Sequence, residues 1–366
     1  MAYTDNFASE VLPLITDLTS AELMQFSNTI FENAYPTTDI RDSITTLTGM
    51  RNGTVLPILI DKPTPDSFPF VADNNCNIES CDIEEDWSTH VWQIGLIECR
   101  AEICMRAFNE NFLVFFNQYR NTQAGGADIN LDSALIQFMT NKFTKNLRLS
   151  TWRAAFFGDT NSSSPFFNGV DGIFAQMSAV PENIVSITQN QGATAQDQKF
   201  ASGEDVYNYL IEMYEIAAEQ AWFDPSILEY HVTKSMSSKL VSWLNAQGNN
   251  RPLNCDCIDP NAAVASNVFM MEGLTINGIP VYTHNEWDDI INYSAELNGG
   301  GGNNARVLPH RAILTFNQNL LVGTTQTEAL NSFDIWYSKD DKKVYLEGSS
   351  YVGGGVPLLN EYVLAI

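Results

Sequence analysis

The residues best placed to do chemistry lie in the segment His284-Asn285-Glu286-Trp287-Asp288-Asp289. A histidine followed by carboxylates two and four residues on could ligate a divalent ion, which would lower the pKa of a bound water for hydrolysis. The spacing is not the helical H-E-x-x-H arrangement, and a polar loop at a strand end gives the same text, so a metal-dependent hydrolase is a rival reading and not the principal one. His90, His231 and His310 lie in or beside expected strands and read as packed or interfacial side chains. No G-x-S-x-G elbow supplies a nucleophile. Cys76, Cys81, Cys99 and Cys104 form two C-x4-C pairs, whereas compact zinc knuckles place two residues between paired ligands. Cys255 and Cys257 are one residue apart, with no histidine beside them to complete a site. Gly299 to Asn304 lacks the G-K-[ST] ending of a phosphate loop and reads as a flexible linker. No catalytic residue, metal ligand or cofactor-binding residue is therefore assigned, and no cofactor is expected.

The elements that would have to position these groups belong to a chain well able to bury a core. It has 366 residues, 44% hydrophobic and 11% aromatic, enough for two or three domains. Its 44 acidic against 19 basic residues give a net charge of -25, which repels phosphate and removes the counterion-release attraction used by non-specific nucleic-acid binders. Such a surface keeps a protein soluble, and it also suits a wall that encloses DNA without adhering to it. The N-terminus lacks a basic segment followed by a long apolar one, so no secretory signal is expected. The compact apolar runs at 112–116 and 154–157 are far shorter than the ~18–20 residues that span a bilayer. The Asn-x-Ser/Thr triplets at Asn52, Asn161 and Asn292 are then chance matches. Six cysteines are too sparse for a disulfide scaffold.

Periodicity gives the order of elements. Thr19 to Glu22 has capping-box spacing and opens a short helix through Leu23, Phe26 and Ile30. Gly53 to Ile60 reads as a strand, and Pro57 inside it marks an edge. After the polar stretch DKPTPDS, His90, Trp92, Ile94 and Leu96 alternate with smaller or polar neighbours as in a half-buried return strand. Residues 50–98 thus form a long antiparallel arm. Val55, Leu56, Ile58 and Trp92 have nothing within it to bury against and need a neighbour's surface. Helical rows such as Ile103, Ala107, Asn111 and Phe115 predict a helix over Cys99 to Tyr119. Leu131, Leu135, Met139, Phe143 and Leu147 recur at fours, and the pattern runs past Trp152 and Phe156 to a stop at Gly158. This is one helix of about 27 residues, roughly 40 Å long. Ser202 opens an amphipathic helix through Val206, Leu210, Met213 and Ala217. EYHVT is a strand, SMSSKLVSWLNAQG a helix stopped at Gly248, and INGIPVYT a strand with an edge proline. RAILTF, SFDIWYS and KVYLEG complete an α+β chain without internal repeat.

Taken in order, several stretches resemble major capsid proteins of tailed phages with the Hong Kong 97-type fold, particularly those of phages infecting Bacteroides and Flavobacterium relatives. NGTVLPILI, the polar tip with Cys76 and Cys81, and HVWQIGLIE followed by CRAEICMRAF look like that family's extended loop entering its peripheral domain. TKNLRLSTWRAAFFGD resembles the spine helix, and FFNGVDGIFAQM the loop after it. HVTKSMSSKLVSWLNA, GLTINGIPVYT, RAILTFNQNLLVGT and FDIWYSKDDKKVYLEG are similar to the axial domain and the return to the peripheral domain. The resemblance covers about residues 50–366. It implies an N-terminal arm (1–49), an extended loop (50–98), a peripheral domain (99–202, spine helix about 131–157), an axial domain (203–332) and a return segment (333–366). It further implies a non-enzymatic virion subunit forming hexamers and pentamers around double-stranded DNA. Portal, head-decoration and scaffolding proteins are possible partners, and Val55, Leu56, Ile58, Lys62 and Trp92 are expected at inter-subunit contacts, Lys62 as a conceivable crosslink donor. The first 49 residues are too short and mixed for the long charged scaffolding segment of many relatives. An encapsulin-like compartment shell shares the fold and is the alternative within it.

Overall fold

The computed structural model describes residue 27 and residues 44–61, 85–104, 131–220, 222–246, 274–316, 319–326, 330–341 and 343–366. Lys62, the arm tip with Cys76 and Cys81, Cys255, Cys257, residues 105–119 of the expected second helix and nearly all of the expected first helix lie outside the described residues.

The long apolar pattern folds as expected into α1 (Leu131–Phe157), 27 residues long. Phe143 and Leu147, four apart, are fully buried, and Trp152 stacks on Phe156 with ring centroids 4.9 Å apart. After it come the short helix α2 (Ile173–Met177), then α3 (Gly203–Ala218), α4 (Lys234–Ala246) and α5 (Asn285–Tyr293). Ser202 caps α3: its hydroxyl accepts from the Glu204 amide, while the Asp205 carboxylate accepts from the amide of Ser202. The apolar stripe Val206, Leu210, Met213 and Ala217 is buried throughout.

Two sheets carry these helices, so the chain is α+β. The five-stranded sheet runs β1 (Ile44–Leu47), β10 (Leu320–Thr324), β12 (Lys343–Gly355), β11 (Ser332–Ser338), with β4 (Gly95–Cys104) also paired to β12. The six-stranded sheet runs β5 (Ile184–Val185), β13 (Tyr362–Ala365), β9 (Ala312–Phe316), β6 (Leu228–Thr233), β8 (Ile279–His284), β7 (Thr275–Ile276). The chain therefore crosses between sheets twice in its last fifty residues. β10 and β12 belong to the first sheet, β9 and β13 to the second. One core packs α1 and α2 against the five-stranded sheet and α5; the other packs α3 and α4 against the six-stranded sheet.

Two expected elements differ. Residues 99–104 are not the start of a helix but the second half of β4, which pairs antiparallel with β12 from Gly95↔Val352 to Cys104↔Lys343. Ile97 and Cys99 turn toward the core while Glu98, Arg100 and Glu102 are exposed, a period of two that the helical rows overlie. Pairing with a strand some 250 residues downstream decides the conformation, which a local window does not contain. The segment INGIPVYT is a hairpin and not one strand. β7 and β8 are joined by Asn277-Gly278, with φ of 52° and 85°. Positive φ at both central residues is the two-residue turn that an Asn-Gly pair favours.

Candidate assembly surface

The arm is built from β2 (Val55–Asp61) and β3 (Glu85–Val91), seven residues each, in antiparallel register from Val55↔Val91 to Asp61↔Glu85. They form a sheet of their own and pair with neither larger sheet. Pro57 lies opposite Thr89 and Ile58 opposite Ser88. A lone two-stranded ribbon is marginally stable in water, so its base must be held. The amide of Met50 donates to the Thr324 carbonyl, the amide of Gly53 to the Trp92 carbonyl, and the amide of Trp92 to the Thr54 carbonyl. Leu56 is half-buried against the small cluster of Met50, Trp92 and Leu321. Val55 and Val91, opposite each other, are 50% and 54% exposed.

Trp92 corrects the expectation that it needs a neighbouring molecule. Its side chain is 0% exposed within its own chain. The ring lies where glycines leave room: a Cβ on Gly323 would fall 2.6 Å from its Cζ3, and one on Gly355 2.9 Å from its Cη2. His90 packs its ring edge-on against Trp92 at 5.5 Å, and burial lowers its pKa. Trp92 is thus the anchor of the arm. Val55 and, opposite it, Val91, which the sequence pattern did not single out, are exposed apolar groups of the arm among the described residues.

The segment that could have held a metal is divided among three neighbours. His284 is buried, with Nε2 2.9 Å from His231 Nδ1 and its ring stacked on Trp287. Glu286 accepts from Arg148 of α1 at 2.6 Å. Asp288 accepts from the backbone amides of Lys234 and Ser235 at the start of α4, and burial pushes its carboxyl up to about 6. The three side chains converge on no common point, and no group of three ligating side chains among the described residues could hold a metal. α5 instead ties the halves together, because Trp287 also packs against Phe156 and Phe174 at 5.3 and 5.0 Å.

His310, Arg311 and Cys99 are likewise packed into the structure. His310 Nε2 donates to the Gln198 carbonyl at 2.6 Å, which leaves Nδ1 to accept from the Ser235 hydroxyl at 2.9 Å. This serine–histidine pair has no oxyanion donors at the adjacent helix start, since Asp288 occupies the Lys234 and Ser235 amides. It ties α4 to the loop before β9. Arg311 is buried between the rings of Phe157 and Phe174, 4.6 and 4.5 Å from their centroids, and desolvation lowers its pKa to about 9. Burial raises the pKa of the Cys99 thiol, which is the opposite of what a reactive cysteine needs. The glycine run is a shaped loop and not a linker: the Ala195 amide donates to the Asn303 carbonyl, and Asn304 Nδ2 donates to the Gly299 carbonyl. No helix among the described residues is long and apolar enough to cross a membrane.

No protein-family model matches the chain, and no curated protein matches it in sequence. Among solved structures it is similar to a chain of the satellite phage P4 procapsid including size determination (Sid) protein, at 12% identity and a TM-score of 0.49 over 93% of this chain and 97% of that one. A chain of Gordonia phage Cozz matches at 13% identity and a TM-score of 0.48, over 88% and 83%. A chain of the capsid of a native GTA particle matches at 11% identity and a TM-score of 0.42, over 90% and 93%. All three likenesses are distant in sequence and loose in backbone.

Proposed function

We propose that the protein is the major capsid protein of a tailed bacteriophage, a non-enzymatic subunit of Hong Kong 97-type fold. In this reading it assembles into the hexamers and pentamers of an icosahedral head that encloses double-stranded DNA. The observation that carries it is the arm. β2 and β3 form a separate two-stranded sheet, anchored at one end by Trp92, with Val55 and Val91 facing outward. A ribbon of this kind gains stability when a second molecule covers its apolar pair, which makes assembly the natural outlet for it. The order of sequence elements described above supports the same reading.

The parts then take mechanical roles. The five-stranded sheet with α1 serves as the peripheral domain, α1 being a stiff rod about 40 Å long. The six-stranded sheet with α3 and α4 serves as the axial domain, which meets its copies around the ring axes. Head-to-tail contacts between identical wedges close into rings when the rotation closes. A net charge of -25 keeps the shell from adhering to the DNA inside it, so packaging needs no sequence-specific contact. Portal, decoration and scaffolding proteins are the partners such a shell would take. Sedimentation velocity of the purified protein over a range of concentrations, with negative-stain microscopy of each species, tests the proposal. Rings and closed shells are expected. A strictly monomeric species at high concentration, alone and with a co-expressed scaffold, would refute it.

A further inference from the structure

The sequence contains four Asn-Gly pairs, at Asn52, Asn168, Asn277 and Asn298. An asparagine followed by glycine is open to attack from within the chain, because no side chain on the second residue hinders its backbone nitrogen. That nitrogen adds to the asparagine Cγ, the bond from Cγ to Nδ2 breaks and ammonia leaves, which closes a succinimide ring. Water then opens the ring at either carbonyl, to aspartate or to isoaspartate. The balance is one water consumed and one ammonia released, with no oxidant and no cofactor. Attack needs a glycine amide that is not already donating, an asparagine side chain free to turn toward it, and a backbone with room to rotate. Three of the pairs lack one of these. The Gly53 amide donates to the Trp92 carbonyl at 2.8 Å, and the Thr54 amide closes the turn around it onto the Arg51 carbonyl at 2.9 Å. Asn298 is held at both ends of its side chain, Oδ1 accepting from the Gly300 amide at 2.8 Å and Nδ2 donating to the Asn292 carbonyl at 3.3 Å. The Asn168 amide donates to the Ser164 carbonyl, and Phe167 and Val170 on either side are buried. The Gly169 carbonyl also packs so closely on Gly95 that a Cβ there would lie 2.8 Å from it.

We propose that Asn277 is the site at which the folded protein converts an asparagine to aspartate and isoaspartate, ahead of the other three pairs. Asn277 and Gly278 are the exposed tip of the β7–β8 hairpin. Neither the Asn277 side chain nor the Gly278 amide makes a hydrogen bond among the described residues, and a Cβ on Gly278 would meet nothing within 4 Å. The strands below the tip hold it weakly. β7 is an edge strand of two residues, and Thr275 lies opposite Pro280, which has no N–H to give to the ladder. The next bond along runs from the Val281 amide to the Leu274 carbonyl at 2.8 Å. Local opening of the tip therefore breaks few bonds, and it supplies the rotation that attack requires. Aspartate adds one negative charge at the tip. Isoaspartate inserts a methylene into the backbone, which the Ile276↔Ile279 register of a two-residue turn does not accommodate. The inference is independent of the lattice reading above.

The test is an ageing series on the full-length protein in mildly alkaline buffer, below its unfolding temperature, beside a sample kept unfolded in urea. Peptide mapping by mass spectrometry follows the conversion of amide to acid at each of the four asparagines, and enzymatic methylation of isoaspartyl groups identifies the isomer. In the unfolded chain all four should convert at comparable rates, because each is followed by glycine. In the folded protein Asn277 should convert several-fold faster than Asn52, Asn168 and Asn298, with isoaspartate among its products. Gly278→Ala, which places a methyl beside the attacking nitrogen, should slow conversion at Asn277 and leave the other three sites at their wild-type rates. The proposal is overturned if any of the other three keeps pace with Asn277 in the folded protein, or if Asn277 stays intact there while the unfolded chain converts. It is overturned equally if folded and unfolded samples show the same relative rates, since the fold would then select no site.

Discussion

Replacing Trp92 by alanine probes the anchor on which the arm depends. The ring is fully buried in a cage whose walls include Gly323 and Gly355, so its removal leaves a void that the glycine backbone cannot fill. Truncating a buried tryptophan costs ~3–5 kcal/mol. The indole Nε1 is buried without a hydrogen-bond partner, so deleting it recovers ~1 kcal/mol of desolvation, and the net loss should be ~2–4 kcal/mol. Trp92→Phe keeps a ring and removes that orphan donor, and should stay within ~1 kcal/mol of wild type. Gly323→Ala should destabilise by ~1–3 kcal/mol, because its Cβ would meet Cζ3 and Cε3 at 2.6 and 2.8 Å. The double variant Trp92→Ala/Gly323→Ala should cost at least ~1 kcal/mol less than the sum, since the new methyl enters the vacated space. Urea unfolding followed by far-ultraviolet circular dichroism reads all four. Limited proteolysis should show faster cleavage between 51 and 91 in Trp92→Ala alone. Equal losses for Trp92→Phe and Trp92→Ala, or additivity within ~0.5 kcal/mol, would refute the cage.

Three further outcomes are expected. The Asp288 carboxyl is raised from 3.8 to about 6, so the folded state binds an extra proton between those values; its contribution is fully present below pH ~4 and is lost as pH rises through 6. The difference in stability between wild type and Asp288→Asn should therefore change across that window by ~3 kcal/mol at most, and a pH-independent difference would count against it. The Arg148–Glu286 bridge between α1 and α5 is partly exposed, and a double-mutant cycle should give a coupling of only ~0.5–1 kcal/mol, falling with added salt. Gly278→Ala, at φ of 85°, should cost ~1 kcal/mol in thermal unfolding, because a side chain there is held in the left-handed region that the β7–β8 turn requires.

What could be read from the sequence follows the range of the forces involved. α1 is legible because apolar positions recur at fours from Leu131 to Leu147, continue through Trp152 and Phe156, and are followed by a glycine, and α3 because Ser202 and Asp205 form a cap within one turn. Those signals are local. The second half of β4, residues 99–104, carries a misleading helical pattern because its partner, β12, lies near the other end of the chain and the helical rows beyond it overlie its own alternation of Glu98, Arg100 and Glu102. The β7–β8 turn is legible in Asn277-Gly278, whereas Pro280 marks only a strand edge. Val55 was identifiable from edge-strand logic, whereas the burial of Trp92 depends on glycines at 323 and 355 that no local pattern connects to it. The scattering of His284, Glu286 and Asp288 had the same origin, since each answers to a different element.

In the proposed lattice the arm is held at its base by its own chain and covered at its face by a neighbour. A cryo-electron microscopy map of the assembled protein tests this most directly. Rings of six and five subunits are expected, in which density from an adjacent copy lies against Val55 and Val91 while Trp92 remains inside its glycine cage. Assemblies in which that face stays open to solvent, or a Trp92 that leaves its cage to reach a neighbour, would contradict it.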